Sequence, residues 1–297
     1  MLKSALRTIL RAGRAWLEEP STPPDPSRYQ ISEHGYGWLN AAFLRLRNSD
    51  PACARRPAYL WGLLQGAGQA RTLGITRIAA LEFGVAGGNG LLALERIAAQ
   101  VGDLCGVKID AVGFDTGTGL PPPVDHRDVP NMLWSGRFAM DHEALRRRLG
   151  SASLVLGPID ETLPTFLQAE PPPAAFVSVD VDFYSSTVHT LRLLDAHSDR
   201  LLPRVYCYFD DILGYTYSDC NGELLAIAEF NAAHSRQQIC KIHGLRYRVH
   251  QSLRDKLWLD CMYIAHMFNH PLYAKPSIVA DEEDREVDQT RLKETGR

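Results

Sequence analysis

A glycine-rich turn between a strand and a helix decides the fold of this chain. Residues 81–90 read Leu81-Glu82-Phe83-Gly84-Val85-Ala86-Gly87-Gly88-Asn89-Gly90. They close the apolar run Ile75–Glu82, which predicts a strand, and lead into Gly90–Val101, which predicts a helix. Glycine allows a tight turn and lets backbone N–H groups approach a ligand closely. The segment therefore predicts a strand–turn–helix unit with a binding site where the strand ends.

The same alternation of strand and helix continues along the chain. Further strands are predicted at Asp110–Asp115, Ser153–Gly157, Ala174–Val181, Val205–Asp210, Gln238–His243 and Trp258–Ala265. Further helices are predicted at Tyr36–Arg47, Pro57–Arg71, Asp141–Leu149, Glu161–Ala169, Ser185–Ser198 and Glu223–His234. This alternation is typical of an α/β fold with a doubly wound, mainly parallel sheet of seven strands. Ligands of such sheets bind at the carboxyl ends of the strands, so polar residues there are functional candidates.

The acid Glu82, placed just before the glycines, separates two classes of cofactor. The nicotinamide fingerprint G-x-G-x-x-G/A fits residues 88–93 by letter, but those residues lie well past the strand. Read from Gly84, the same pattern has Ala86 and Asn89 where glycines are wanted. A carboxylate at Glu82 would repel a pyrophosphate and suit an amine. The turn therefore favours S-adenosylmethionine, whose methionine part carries an ammonium group.

The second and third strands also lead into acids. Asp115 ends the second strand, where an acid can bind both hydroxyls of a ribose. It could equally form an N-cap or an Asx turn. After the third strand, Asp160 or Ile159 would lie where an adenine could be bound, although Asp160 could instead cap the next helix.

Four aspartates follow two neighbouring strands. Asp180 and Asp182 lie in the run SVDVDFYSST, and Asp210 and Asp211 close the later run YFDD. Strand alternation sends Asp180 and Asp182 to the same side if the extended geometry persists. Carboxylates gathered in this way repel one another unless a cation neutralises them, and a set of oxygen ligands favours Mg²⁺. Helix capping at the two junctions is the alternative, but four acids exceed what capping needs.

Charge restricts the class of protein. The 297 residues include 32 basic and 35 acidic side chains, a net charge of −3, and 45% of the residues are hydrophobic. A polyanion-binding chain would be basic, so nucleic acid is not an expected partner. Six cysteines without a C-x-x-C pair indicate reduced thiols. No apolar run approaches the roughly 20 residues of a membrane span, and the N-terminus lacks the apolar run of a secretory signal. A cytoplasmic enzyme is the expected class.

Three regions are predicted along the chain. Residues 1–27 form a basic amphipathic helix and a proline-rich linker, residues 28–280 a single domain, and residues 281–297 a charged, disordered tail. The N-terminal helix could lie on anionic lipid. Packing against its own domain or a partner subunit is the favoured interpretation. The possible partners are therefore a small-molecule or glycoside substrate and a second copy of the chain in a homo-oligomer.

These motifs together resemble the class I S-adenosylmethionine-dependent methyltransferases. The chain is most similar to the macrocin O-methyltransferase-like family, which methylates sugar hydroxyls in natural-product glycosides. The matching blocks, in order, are EFGVAGGNG, GFDTGTGLP, GPIDETLP, and DVDFYSST with the later FDD. The chain departs from the family at Gly117-Thr118, where an aromatic residue and an acid are usual, and at Pro203-Arg204, where Pro-Gly-Gly is usual.

The resemblance implies a role for each candidate that binds the cofactor. Glu82, Gly84 and Gly88 would line the methionine part of S-adenosylmethionine. Asp115 would hold the ribose, and Asp160 would lie beside the adenine.

The resemblance also implies a metal-assisted O-methyl transfer to a hydroxyl of a sugar or glycoside. Asp180, Asp210 and Asp211 would hold Mg²⁺, and Asp182 would be the general base. The Gly/Pro-rich segment 116–138 is predicted to be a lid, and its residues His126, Arg127, Trp134 and Arg137 could touch the substrate or could equally be solvated loop residues.

Two other functions remain open. One is an NAD-dependent oxidoreductase on the same topology, and Glu82 and the four aspartates count against it. The other is a non-catalytic protein that keeps the fold and docks through its basic N-terminal helix. The presence of all four aspartates counts against that alternative.

Overall fold

The computed structural model describes residues 37–214 and 217–276. The predicted helix and linker at 1–27 and the predicted tail at 281–297 lie outside the described residues. Among the helices that the structure describes, none is both long enough and apolar enough to cross a membrane.

One sheet of seven strands forms the centre of the domain. The strands are β1 Arg77–Phe83, β2 Lys108–Asp115, β3 Ser153–Leu156, β4 Ala174–Val179, β5 Leu201–Phe209, β6 Gln237–Lys241 and β7 Met262–Met267. Their order across the sheet is β3-β2-β1-β4-β5-β7-β6. The first five are parallel, whereas β7 runs antiparallel to both β5 and β6. The predicted doubly wound, mainly parallel seven-stranded sheet is therefore confirmed.

Eight α-helices accompany these strands in the described ranges. They are α1 Gly37–Ser49, α2 Pro51–Arg55, α3 Pro57–Thr72, α4 Asn89–Cys105, α5 His142–Arg148, α6 Ile159–Gln168, α7 Tyr184–Leu191 and α8 Gly222–Ala233. The short helix α2 is not predicted from the sequence. It begins because Asp50 caps it, accepting a hydrogen bond from the backbone N–H of Ala52 at 2.7 Å.

Alternate residues of each central strand pack into different hydrophobic cores. Along β1, Ile78 and Ala80 belong to a core shared with helices α1 to α4. Ala79, Leu81 and Phe83 belong to a core shared with helices α6 to α8. The burial of both faces explains why these strands are continuous apolar runs, as parallel strands usually are.

Two strands begin four residues away from their predicted starts. Strand β5 begins at Leu201 rather than Val205, and its pairing with β4 shifts register between Leu201 and Tyr206, the stretch that contains Pro203. The predicted strand from Trp258 begins only at Met262, since residues 257–261 form a 3₁₀ helix. Neither difference moves the carboxyl ends of the five parallel strands, where the site lies.

Candidate active site

A cavity of about 400 Å³ opens at the carboxyl ends of β1, β2, β4 and β5. Eight residues singled out in the sequence line it, namely Glu82, Gly84, Asp115, Ile159, Asp180, Asp182, Asp210 and Asp211. Gly88 and Asp160 are not part of its described lining. Asp160 is an exposed residue in the first turn of α6, whereas Ile159 lines the cavity, and contact of either residue with an adenine stays a prediction.

The glycine turn is shaped by contacts that only glycine permits. Gly84 has φ +86°, and a Cβ there would overlap the backbone carbonyl of Asp180. Gly88 caps α4 with φ +82°, and a Cβ there would overlap Leu145 of α5. A Cβ at Gly90 would overlap the carboxylate of Glu82. Glycine at these positions thus lets the turn pack closely against the backbone of Asp180 and against Leu145, and it leaves room for the Glu82 side chain.

A Gly84→Ala substitution is expected to lower the free energy of unfolding by about 3 kcal/mol or more. Left-handed backbone costs an L-residue about 1–2 kcal/mol, and forced overlap costs about 1–3 kcal/mol. The matched control is Gly87→Ala in the same turn, because a Cβ there meets no atom within 4 Å. Urea denaturation of both variants checks the difference. Equal stabilities would show that the turn is not fixed against Asp180.

Glu82 is a buried acid with an unsatisfied oxygen. Its Oε1 accepts a hydrogen bond from the hydroxyl of Tyr59 at 3.1 Å, and that hydroxyl accepts one from Oγ of Ser178 at 2.9 Å. Its Oε2 has no partner among the described residues. Burial raises the pKa of the Glu82 carboxyl to about 8, although the charge of Arg56 and the Tyr59 hydrogen bond act to lower it. A cationic ligand would satisfy this oxygen and favour the ionised form.

Asp115 joins the loops that follow β1 and β2. Its Oδ2 accepts hydrogen bonds from the backbone N–H groups of Val85 and Ala86, both at 2.9 Å. Its Oδ1 accepts one from the N–H of Gly117 at 2.6 Å, which is an Asx turn. The Asx turn, which the sequence offered as the structural alternative for Asp115, is therefore present in the fold. Asp115 also lines the cavity, so its contact with a ribose stays a prediction.

The four aspartates come together although the chain does not remain extended. Strand β4 ends at Val179, and Asp182 has φ +61°, in the left-handed region. The extended geometry behind the same-side prediction does not persist, yet Asp180 and Asp182 both line the cavity. The backbone N–H of Asp182 donates to Oδ2 of Asp211 at 3.0 Å, which ties the segments after β4 and β5 together. A strained non-glycine residue of this kind is typical of functional sites.

The acids at this wall of the cavity strongly disfavour one another's ionisation. Burial, followed by the charges of Asp210 and Asp211, raises the pKa of Asp180 well above its usual value. Burial and neighbouring acids also raise the pKa values of Asp182 and Asp211, although Arg137 acts to lower that of Asp182. Such a cluster binds either protons or a cation at neutral pH.

Another buried acid, Glu223, is hydrogen-bonded to the backbone of this wall. Oε2 of Glu223 accepts a hydrogen bond from the backbone N–H of Asp211 at 3.1 Å, and its Oε1 has no partner in the described structure. Burial and the charge of Asp211 raise its pKa well above the usual value. Oδ1 of Asp210 accepts a hydrogen bond from the Tyr208 hydroxyl at 2.5 Å.

The donor set fits Mg²⁺ in its chemistry. It offers buried carboxylate oxygens in excess of nearby cations, which is the environment that hard divalent ions select. Within residues 37–214 and 217–276, however, no group of three or more His, Cys, Asp or Glu side chains is arranged so that it could hold a metal ion. The aspartates would therefore have to move to form a coordination shell.

The segment 116–138 lines one side of the cavity, and its two ends are hydrogen-bonded to each other. The N–H of Leu120 donates to the carbonyl of Arg137, and the N–H of Gly136 to that of Leu120, both at 2.8 Å. Asp128, fully buried, accepts hydrogen bonds from the N–H and Oγ of Ser185 and from the N–H of Val124, at 2.8–2.9 Å. The predicted lid is thus joined to the start of α7 by the side chain of Asp128.

The four lid residues predicted to touch a substrate lie outside the described lining of the cavity. Arg127 is ion-paired with Asp125 and stacks over the ring of Tyr184 at 4.2 Å. Arg137 stacks over Trp134 and Phe138 at 4.9 and 4.6 Å, and it is Phe138 that lines the cavity. Contact of His126, Arg127, Trp134 or Arg137 with a substrate stays a prediction.

An Asp128→Asn substitution is expected to loosen the lid. The new amide NH₂ would face N–H and O–H donors, and a buried donor left unsatisfied costs about 1–3 kcal/mol. Faster amide hydrogen exchange in residues 117–138 checks this. The control is Asp125→Asn, which removes only an ion pair at the surface and is expected to change exchange little. Equal exchange in both variants would contradict the role given to Asp128.

Sequence reasoning missed the site residues that helices supply. Arg56 lines the cavity from the junction of α2 and α3, and Tyr59 reaches Glu82 from α3. Glu223 reaches Asp211 from the first turn of α8. A search for polar residues at strand ends does not find these three. Their only sequence signal is the unusual placement of polar groups within apolar helices.

Comparisons with known proteins gave matches in solved structures alone. A scan against models of protein families gave no match, and a search of curated proteins gave none. The calicheamicin methyltransferase CalS11 is 20% identical with a TM-score of 0.47, covering 76% of this chain and 96% of that one. The O-methyltransferase NovP is 19% identical with a TM-score of 0.47, covering 62% and 76%. Cofactor-bound Rv0187 from MTB is 17% identical with a TM-score of 0.40, covering 84% and 99%. At these values the matches carry no inference about activity.

Proposed function

We propose that this chain is an S-adenosylmethionine-dependent methyltransferase that transfers a methyl group to a hydroxyl oxygen of a sugar or glycoside. The observation that carries the proposal is the charge of the cavity. Six acids and one arginine, Arg56, are found in its described lining. S-adenosylmethionine bears a sulfonium, an ammonium and one carboxylate, a net positive charge that suits such a site.

The same charge count disfavours the oxidoreductase alternative. The pyrophosphate of NAD would bring two further negative charges beside Glu82 and Asp115. The glycine turn also departs from the dinucleotide pattern at Ala86 and Asn89. An ammonium group, in contrast, would satisfy the unpaired Oε2 of Glu82.

The residues of the chain have defined tasks in this reaction. S-adenosylmethionine, when bound, supplies an electrophilic methyl carbon with a good leaving group. Asp182 accepts the proton of the substrate hydroxyl, so that the oxygen can attack this carbon in line with the departing sulfur. The closed lid excludes water, and the rigid turn at Gly84 fixes the position of the donor.

Magnesium is part of the proposal. Asp180, Asp210 and Asp211 would hold the ion, and its charge would favour loss of the proton from the substrate hydroxyl. The support is the excess of buried carboxylates at the ends of β4 and β5. The choice of a sugar hydroxyl as acceptor is supported by the four sequence blocks that resemble those of macrocin O-methyltransferase-like proteins.

Affinity for S-adenosylmethionine is expected to rise with pH up to about 8. The free Glu82 carboxyl has a pKa of about 8, so below that pH it is protonated. Binding an ammonium requires the carboxylate, and the proton must leave. Affinity should therefore fall by up to about tenfold for each pH unit below 8, as linkage requires. Calorimetry at pH 7 in buffers of different ionisation enthalpy should detect about one released proton.

Glu82→Gln is the control for this pH dependence. The amide cannot ionise, so this variant should bind weakly and should show a smaller change of affinity than the wild type from pH 6.5 to 8.5. Wild-type affinity that stays constant over this range would contradict the assignment of Glu82 to the ammonium group.

One experiment tests the proposed function as a whole. Calorimetry compares S-adenosylmethionine with NAD, and transfer of a labelled methyl group is then measured against a panel of glycosides, with Mg²⁺ and with chelator. Binding of S-adenosylmethionine and methylation of a sugar hydroxyl are the expected results. Tight binding of NAD without binding of S-adenosylmethionine would favour the oxidoreductase. Binding of neither would favour the docking protein.

A further inference from the structure

Arg56 is a half-buried cation placed among acids in the cavity wall. The charges of Glu82, Asp180 and Asp210 act on it. Its guanidinium nevertheless forms no salt bridge with any carboxylate in the described part of the chain, although such pairs are found at Arg77, Arg96, Arg127, Arg200 and Arg246. Arg56 thus lines the cavity without an ion-paired carboxylate among the described residues, and its guanidinium can donate to a ligand.

The backbone holds Arg56 in one place. Its N–H donates to the carbonyl of Ala52 at 3.0 Å and ends α2, and its carbonyl accepts from the N–H of Leu60 at 3.1 Å and begins α3. The following Pro57 restricts its backbone further. The side chain therefore starts from a fixed point at the cavity wall.

Tyr59 positions Arg56 and Glu82 together. The guanidinium carbon of Arg56 lies 5.3 Å from the centre of the Tyr59 ring, within cation–π range. The hydroxyl of the same ring donates to Glu82, and Ser178 holds that hydroxyl in turn. One buried tyrosine thus orients a cation and an anion that both line the cavity.

We propose that Arg56 and Glu82 form a subsite for an α-amino acid group, in which Arg56 binds the carboxylate and Glu82 the ammonium of the methionine part of S-adenosylmethionine. The inference rests on the proposed function and adds a recognition residue to it. The two ligand charges sit on a single carbon, so their protein partners must be neighbours, as Arg56 and Glu82 are. A guanidinium matches a carboxylate with two parallel hydrogen bonds.

Without Arg56, the cavity would repel this carboxylate. All the other charged residues of its described lining are acidic. With Arg56, the site would recognise the amino acid group of the donor. Without it, the site would recognise only the sulfonium and the adenosine. That difference can be measured, since the donor is known with and without the carboxylate.

The test compares two ligands in calorimetry. S-adenosylmethionine and decarboxylated S-adenosylmethionine share the adenosine, the sulfonium and an amine, and they differ in the carboxylate. The wild type is expected to prefer S-adenosylmethionine by about 10- to 100-fold, the range of a charge-assisted pair. In Arg56→Met this preference should disappear, because affinity for the full donor falls while affinity for the analogue does not. Arg56→Lys should keep part of the preference.

Arg55→Met is the matched control, because Arg55 is the exposed neighbour of Arg56 in α2. It should keep the wild-type preference. Circular dichroism verifies that each variant is folded. If Arg56→Met does not fold, the two ligands are compared in Arg56→Lys instead. Equal weakening of both ligands in Arg56→Met, or an unchanged preference, would overturn the inference while leaving the proposed function intact. Failure of the wild type to bind either ligand would overturn both.

Discussion

An Asp182→Asn variant is expected to bind S-adenosylmethionine normally and to transfer its methyl group about 10²- to 10⁴-fold more slowly, the usual contribution of a general base. The amide has nearly the shape of the carboxylate but cannot accept the proton of the substrate hydroxyl. Asparagine also tolerates the left-handed backbone at φ +61° and keeps the N–H that donates to Asp211. Loss of rate would therefore report chemistry rather than misfolding.

Single-turnover methyl transfer and calorimetry together check this prediction. Asp219→Asn is the control, since Asp219 is an exposed acid of the same region and is not part of the described lining of the cavity. It should transfer the methyl group at the wild-type rate. A rate in Asp182→Asn within tenfold of the wild type would remove Asp182 from the role of base.

An Asp180→Asn variant is expected to lose activity and to gain stability. If Asp180 holds Mg²⁺, its loss removes several kcal/mol of charge stabilisation, or about 10³-fold in rate. The folded protein carries Asp180 with a raised pKa, so ionisation destabilises the fold as pH rises above the ordinary value near 4. The asparagine avoids this cost. The melting temperature of Asp180→Asn should exceed that of the wild type near pH 8, by about 2–4 °C for each kcal/mol of ionisation cost removed. Near pH 4 the two melting temperatures should be equal.

The control for the stability effect is Asp110→Asn. Asp110 accepts a salt bridge from Arg77 at 2.6 Å at the surface, so its replacement should lower stability slightly rather than raise it. The activity effect is checked with chelator, which should slow the wild type and leave Asp180→Asn unchanged. Methyl transfer that survives in the double variant Asp180→Asn/Asp210→Asn would show the metal mechanism to be wrong.

Much of the fold follows from local sequence signals. The apolar runs that end at Glu82, Asp115 and Asp210 predict strands, because parallel strands covered on both faces need apolar side chains on both. The glycines from Gly84 onward predict the turn for a backbone reason that the structure makes explicit. The boundaries near Pro203 were less accessible to sequence reasoning, since they depend on an irregular pairing with a distant strand.

Some residues of the candidate site could likewise be predicted from the sequence, and others could not. Acids that follow apolar strands stand out in the sequence, and most of them do line the cavity. Arg56 and Tyr59 could not be identified, because their positions depend on packing between α3 and the sheet. Tyr59 contacts Glu82 and Ser178, and Ser178 lies more than a hundred residues away along the chain. The left-handed backbone at Asp182 is also unforeseen, since nothing in the run DVDFY requires it.

The hydrogen bonds from Ser185 to Asp128 join the predicted lid to the segment that carries Asp182, the proposed base. Ser185 closely follows Asp182, so a lid that swings away to admit an acceptor must release the same short segment that carries the base. If the proposed function holds, entry of the acceptor and positioning of Asp182 would be successive steps. Asp182 would then be in position only after water has been excluded from the cavity. Such an arrangement protects a reactive donor from hydrolysis while the protein waits for its substrate.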